Sequence, residues 1–155
     1  MRALIVGGHP GEGDRARVEQ LARELGVDGR VTITGHVPPA DVARHLAAAS
    51  ILALPNASSA ISARYTSPLK LFEYLALGRP IVASDLPSIR EVLGPDVAML
   101  VPADDPSAWA AAFSTLASDP GRAASLAAAA RRLAPGYTWS MRAARIDEAL
   151  REVCA

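Results

Sequence analysis

The chain has 155 residues, half of them apolar and 21% charged, the composition of one ordinary globular domain able to bury roughly 70% of its unfolded surface. Sixteen basic residues balance sixteen acidic ones, which excludes the broad positive field of a nucleic-acid binder. A single cysteine, Cys154, excludes an intrachain disulfide and a cysteine metal cluster. No apolar run approaches the roughly eighteen residues of a membrane span. The apolar start, Met1 to Val6, is too short for a signal peptide and runs straight into Gly7-Gly8; a cytoplasmic chain is expected.

In chain order, Ala3 to Val6 reads as a buried strand ended by Gly7-Gly8. A loop over His9 to Gly13 follows, then a helix from Asp14 to Leu25 whose Val18, Leu21, Ala22 and Leu25 keep helical spacing. Two glycine motifs are weighed here and rejected. Gly11 to Ala16 formally fits the dinucleotide fingerprint, but it begins several residues past the strand, and no acidic residue ends the next one. Gly8 to Gly13 has P-loop spacing, yet Asp14-Arg15 stand where Lys-Ser/Thr is required. Val31 to Thr34 is a second strand, Gly35 to Pro38 its exit loop, and His36 reads as a loop residue. Pro39 to Ala49 is a helix and Ile51 to Leu54 a third strand. Asn56 to Thr66 reads as a polar loop at the carboxyl end of that strand, where open α/β sheets place ligands.

The next segment is TSPLKLFEYLALGRPIVASDLPSIRE, from Thr66 to Glu91. Ser67 is the expected N-cap, Pro68 the first helical residue, and Leu69, Phe72 and Ala76 the apolar face. Gly78 stops the helix, and Pro80 could not continue it. Ile81 to Ala83 is a buried parallel-type strand. The first turn leaves the amides of Leu69 and Lys70 without partners, and the helix dipole favours an anion there. Lys70, the one lysine among fifteen arginines, adds a cation at that end. Glu73 stands one turn on; by spacing alone it is as well explained by an i, i+3 ion pair with Lys70. Ala98 to Val101 is the last strand. Asp104-Asp105-Pro106 looks like a metal motif, but Asp105 as N-cap with Pro106 behind it explains it better, as does Asp119-Pro120 for the helix running to Ala134. Pro135-Gly136 breaks that helix, and Trp139 to Val153 is a final amphipathic one. Strand and helix alternate throughout, which predicts a parallel sheet with helices on both faces.

The Ser67 to Val92 segment resembles the donor-site segment of group 1, family 4-type glycosyltransferases of the GT-B fold. LIVGGHPGEGD, VTITGHVP, ILALPNAS and YTWSMRAARI follow the family's order, so the resemblance covers essentially the whole chain. It implies a Rossmann-like three-layer sandwich with a five-stranded parallel sheet, a partial GT-B C-terminal domain. It further implies that Glu73 holds the ribose hydroxyls of a nucleotide-sugar donor, with Ser67, Leu69 and Lys70 around the diphosphate. Val37 would lie against the base, and Arg64 could reach a phosphate. Transfer would be retaining, with no metal or cofactor and no catalytic side chain assigned. The family's donor-sugar glutamate, eight positions before Glu73, is replaced by Tyr65.

Aligned by motif with the resembled family, the chain is expected to start at the family's second strand, without the central first strand and the N-terminal acceptor domain. Either Ala3–Val6 pairs directly with Ile51–Leu54, which is the expectation favoured, or another chain supplies the strand, since a gap between them would leave buried backbone groups unpaired. The chain alone is expected to bind nucleotide weakly and to transfer nothing. A non-catalytic nucleotide-binding module and a nucleotide-sugar epimerase of the same fold are the alternatives.

Overall fold

The computed structural model describes residues 1–8 and 13–154. The loop on which both glycine motifs were weighed falls largely outside them. The described chain forms two compact units, Met1–Ala49 and Ser50–Ala155.

In the first unit, β1 (Ala3–Ile5), α1 (Asp14–Glu24), β2 (Val31–Ile33) and α2 (Pro39–Ala47) follow one another. β1 and β2 pair in parallel, Ala3 opposite Val31 and Ile5 opposite Ile33. Beyond the strands, the Gly7 amide donates to the Gly35 carbonyl at 3.1 Å, and Gly35 takes the left-handed φ of 70° that this turn needs. The pairing ends there. Among the described residues the strands form a two-stranded sheet, β1 with β2, and a three-stranded one, and not the expected single sheet of five. The expected pairing of Ala3–Val6 with Ile51–Leu54 is not among the described strand pairs. The reason lies in the premise: direct pairing was required only if the β1 backbone were buried. All three β1 residues are exposed, Leu4 at 43% and Ile5 at 41%, so that condition is not met.

The second unit carries the main core. Its sheet, β3 (Leu52–Leu54), β4 (Ile81–Ser84) and β5 (Met99–Val101), is parallel in that order. Every residue of β4 is buried, as expected of a central parallel strand. α6 (Pro106–Ser118) and α7 (Pro120–Leu133) pack on it through Val82, Val101, Ala112, Leu116 and Leu126. Both start as expected: Asp105 accepts from the amides of Ser107 and Ala108 at 2.9 and 3.1 Å, and Asp119 from that of Arg122 at 2.9 Å. The buried Ser84 hydroxyl accepts from the Asn56 amide at 2.8 Å and donates to the Asn56 carbonyl at 2.7 Å, tying the loop after β3 to the end of β4.

The stretch from Asn56 to Thr66 is not all loop. Residues Ala60–Tyr65 form α3, with the Ser59 hydroxyl accepting from the Ser62 amide at 3.1 Å. α5 (Pro87–Arg90) packs on it, and the Ser88 hydroxyl donates to the Ser62 carbonyl at 2.6 Å. The last helix, α8 (Trp139–Cys154), has no buried residue, and its apolar Trp139, Ile146, Leu150 and Val153 are open to solvent.

Candidate functional site

The central helix, α4 (Leu69–Leu77), starts one residue later than its sequence suggests. Pro68 keeps ψ at 120°, so it is the cap residue and not the first helical one. With Pro68 as the cap residue, Ser67 stands one position too early to cap. No side chain caps this end. The Leu71 amide reaches the Pro68 carbonyl at 3.0 Å, while those of Leu69 and Lys70 stand at the open first turn without intrahelical partners. The far end is as expected: Gly78 takes the left-handed conformation, φ 57°, and its amide donates to the Leu75 carbonyl at 3.1 Å.

The buried face of α4 is Leu71, Tyr74 and Leu75, not Leu69, Phe72 and Ala76. The helix is apolar on both sides, and spacing alone could not choose between them. Tyr74 fixes the choice, its hydroxyl donating to the Ala53 carbonyl of β3 at 3.2 Å. Burial pushes the Tyr74 phenol above its ordinary range, and the neighbouring Glu73 charge adds to the rise.

The other face opens on a cleft of about 370 Å³. Ser67, Leu69, Phe72 and Glu73 form one wall; Tyr137, Trp139, Arg142 and Arg145 form the opposite one. Phe72 and Tyr137, one from each wall, are in contact, ring centroids 5.5 Å apart. Three of the sequence-predicted residues, Ser67, Leu69 and Glu73, thus share one cavity. Lys70 is exposed beside it but does not line it, and it makes no ion pair with Glu73 among the described residues. Arg64 is an exposed residue in the last turn of α3, not a loop residue. Tyr65 ends the same helix, 79% exposed. Val37 is half-buried between β2 and α2, in the other unit. The aspartate pair is accounted for structurally: Asp105 caps α6, and Asp104 accepts from the Ser58 hydroxyl.

Sequence reasoning missed the opposite wall. Trp139, Arg142 and Arg145 recur every three residues, which places them on one side of a helix. That signal was present, but nothing in it pointed to Glu73, more than sixty positions away.

Residues 1–119 match the family model described as glycosyl transferases group 1. The chain belongs to this family. Among curated relatives, the D-inositol 3-phosphate glycosyltransferase of Corynebacterium urealyticum is 31% identical over 156 aligned positions, covering 99% of this chain and 35% of the relative. The chain thus spans about a third of that relative's length. Among solved structures, sucrose-phosphate synthase from Thermosynechococcus elongatus superposes with a TM-score of 0.83 at 26% identity, over 97% of this chain and 38% of that one. Anabaena HepE in complex with UDP gives 0.86 at 22% identity, over 98% and 41%. The likeness extends the family's α/β architecture, with its parallel strands, to both units of the chain.

Proposed function

We propose that this chain is the donor-binding part of a glycosyltransferase, holding a nucleotide-sugar for retaining, metal-independent transfer. The observation that carries the reading is Glu73, a carboxylate lining the α4 cleft with no hydrogen bond or ion pair among the described residues. Adjacent ribose hydroxyls are two donors side by side, and an ionised carboxylate accepts both. The diphosphate is assigned to the uncapped first turn, where the amides of Leu69 and Lys70 and the helix dipole favour an anion. The Lys70 ammonium and the Ser67 hydroxyl stand at the same end, and Arg64 is an outer cation. As the bond to the sugar breaks, negative charge grows on the departing diphosphate; fixed amides and a cation stabilise it without a metal.

HepE is described in complex with UDP-glucose, which makes UDP the first ligand to test. D-inositol 3-phosphate, named for the relatives, is the first acceptor. Acceptor binding is assigned to the part of such longer proteins that this chain does not cover, in a cytoplasmic enzyme. By itself the chain should transfer nothing.

Tyr65, standing where the resembled family has its donor-sugar glutamate, favours a second reading: a module that binds the nucleotide without chemistry. An epimerase fits the Pro68-Leu69-Lys70 segment less well. The test of the ribose contact is Glu73→Gln in a calorimetric titration with UDP. A loss of roughly 1.5–3 kcal/mol is expected, the range for a hydrogen bond to a charged group. Unchanged affinity would remove Glu73 from the site.

A further inference from the structure

We infer that Arg142 and Arg145, on the wall of the cleft opposite Glu73, are further binding residues for the diphosphate of the ligand. The inference rests on the nucleotide reading given above and adds to it the charge that the cleft itself supplies.

These two arginines are set apart by lining the cleft and resting on aromatic rings while making no ion pair among the described residues. Arg15, Arg17, Arg44, Arg90 and Arg151 each reach a carboxylate three to five positions away in the chain. On α8 itself Arg151 meets Asp147 at 2.9 Å. Arg142 and Arg145, one and two turns from the start of that helix, have no carboxylate within ion-pair distance among the described residues. Each lies instead over an aromatic ring: Arg142 over Trp139 at 5.8 Å from the centroid, and Arg145 over Tyr137 at 5.9 Å. Arg145 also donates to the Gly136 carbonyl at 3.4 Å.

A guanidinium resting on a ring is held in place while most of its donors stay open, so little conformational freedom is lost when an anion arrives. The planar fork suits phosphate oxygens, which it can meet two at a time. The cleft thus has two cations and one carboxylate among its lining residues, an excess of positive charge that calls for an anionic ligand. Its volume of about 370 Å³ falls in the range of small-molecule sites. A neutral saccharide would use the rings and leave both charges unmet. A nucleoside diphosphate uses the rings, the carboxylate and both cations.

The experiment titrates the 155-residue chain and its Arg142→Ala, Arg145→Ala, Arg145→Lys and Glu73→Gln variants with UDP and with uridine. Thermal unfolding of each variant checks that it folds. Each alanine variant should weaken UDP about tenfold or more and uridine less than twofold; the lysine, a point charge without the fork, should fall between. If Glu73→Gln weakens both ligands while the arginine variants bind UDP as the wild type does, the arginine assignment is overturned and the Glu73 reading stands. If the arginine variants lose UDP and Glu73→Gln loses nothing, the arginines keep their role and the ribose reading alone falls. Equal losses for UDP and uridine on removing the arginines would show that they only shape the wall, which also overturns the inference. No binding of UDP by the wild-type chain overturns both.

Discussion

Lys70 sits at the second position of α4, where its charge opposes the helix dipole. Without ligand it should cost a little stability, and with a diphosphate present it should repay that cost. Lys70→Ala is therefore expected to raise the melting temperature slightly, weaken UDP and leave uridine unchanged; equal losses for both ligands in a titration would leave it no phosphate role. Its isolation in the sequence drew attention to it, whereas Arg142 and Arg145 were lost among fifteen arginines. Residue type was legible there and position was not. A second test at this scale uses pH. Arg90 donates to the Asp85 carboxylate, Nη2 to Oδ2 at 2.8 Å, and this hydrogen bond holds the carboxyl below its ordinary value against the opposing effect of burial. A depressed carboxylate stabilises the fold fully above its unfolded value, and that stabilisation is lost as pH falls through the lower, folded-state value. Asp85→Asn should flatten this part of the acid limb in denaturation curves recorded against pH; an unaltered acid limb would show the pair to be solvated.

Among the elements, helix ends were the most legible part and helix faces the least. Asp105-Pro106, Asp119-Pro120 and Gly78 announce their caps because each satisfies a fixed backbone need. Ser67-Pro68 carries the same signal, and the structure shifts the start by one residue because Pro68 stays extended. Ser59 was an equally good cap signal for α3, hidden inside a serine-rich run that reads as loop. The buried side of α4 was chosen by Tyr74 meeting β3, a tertiary contact that no local pattern encodes. Gly78 gives the sharpest test. A Cβ there would stand 2.6 Å from Arg131 Nε and 3.1 Å from Arg131 Cβ, at a φ of 57°. Gly78→Ala should cost about 1–2 kcal/mol from the left-handed backbone, with any further loss reporting the Arg131 clash; chemical denaturation with an unchanged midpoint would contradict the cap.

For the whole molecule, the alternation of strand and helix gave the α/β class and the parallel strands, but pairing could not be read. The expected five-stranded sheet assumed that every apolar strand is interior, and Ala3–Ile5, apolar by sequence, is exposed in the structure. Stability should accordingly reside in the second unit. Ile89→Ala, at a fully buried side chain, should cost roughly 2–5 kcal/mol, whereas Leu4→Ser should stay within about 0.5 kcal/mol; comparable losses from the two in urea unfolding would show β1 to be part of the core. The central claim is that the α4 cleft holds a nucleotide by its ribose and diphosphate, and a crystal structure of the chain grown with UDP tests it most directly. The account predicts ribose oxygens at hydrogen-bond distance, about 2.6–3.2 Å, from the Glu73 carboxylate, with phosphate oxygens on the Leu69 and Lys70 amides. Nucleotide density elsewhere on the chain, with the Glu73 carboxylate facing only water, would contradict it.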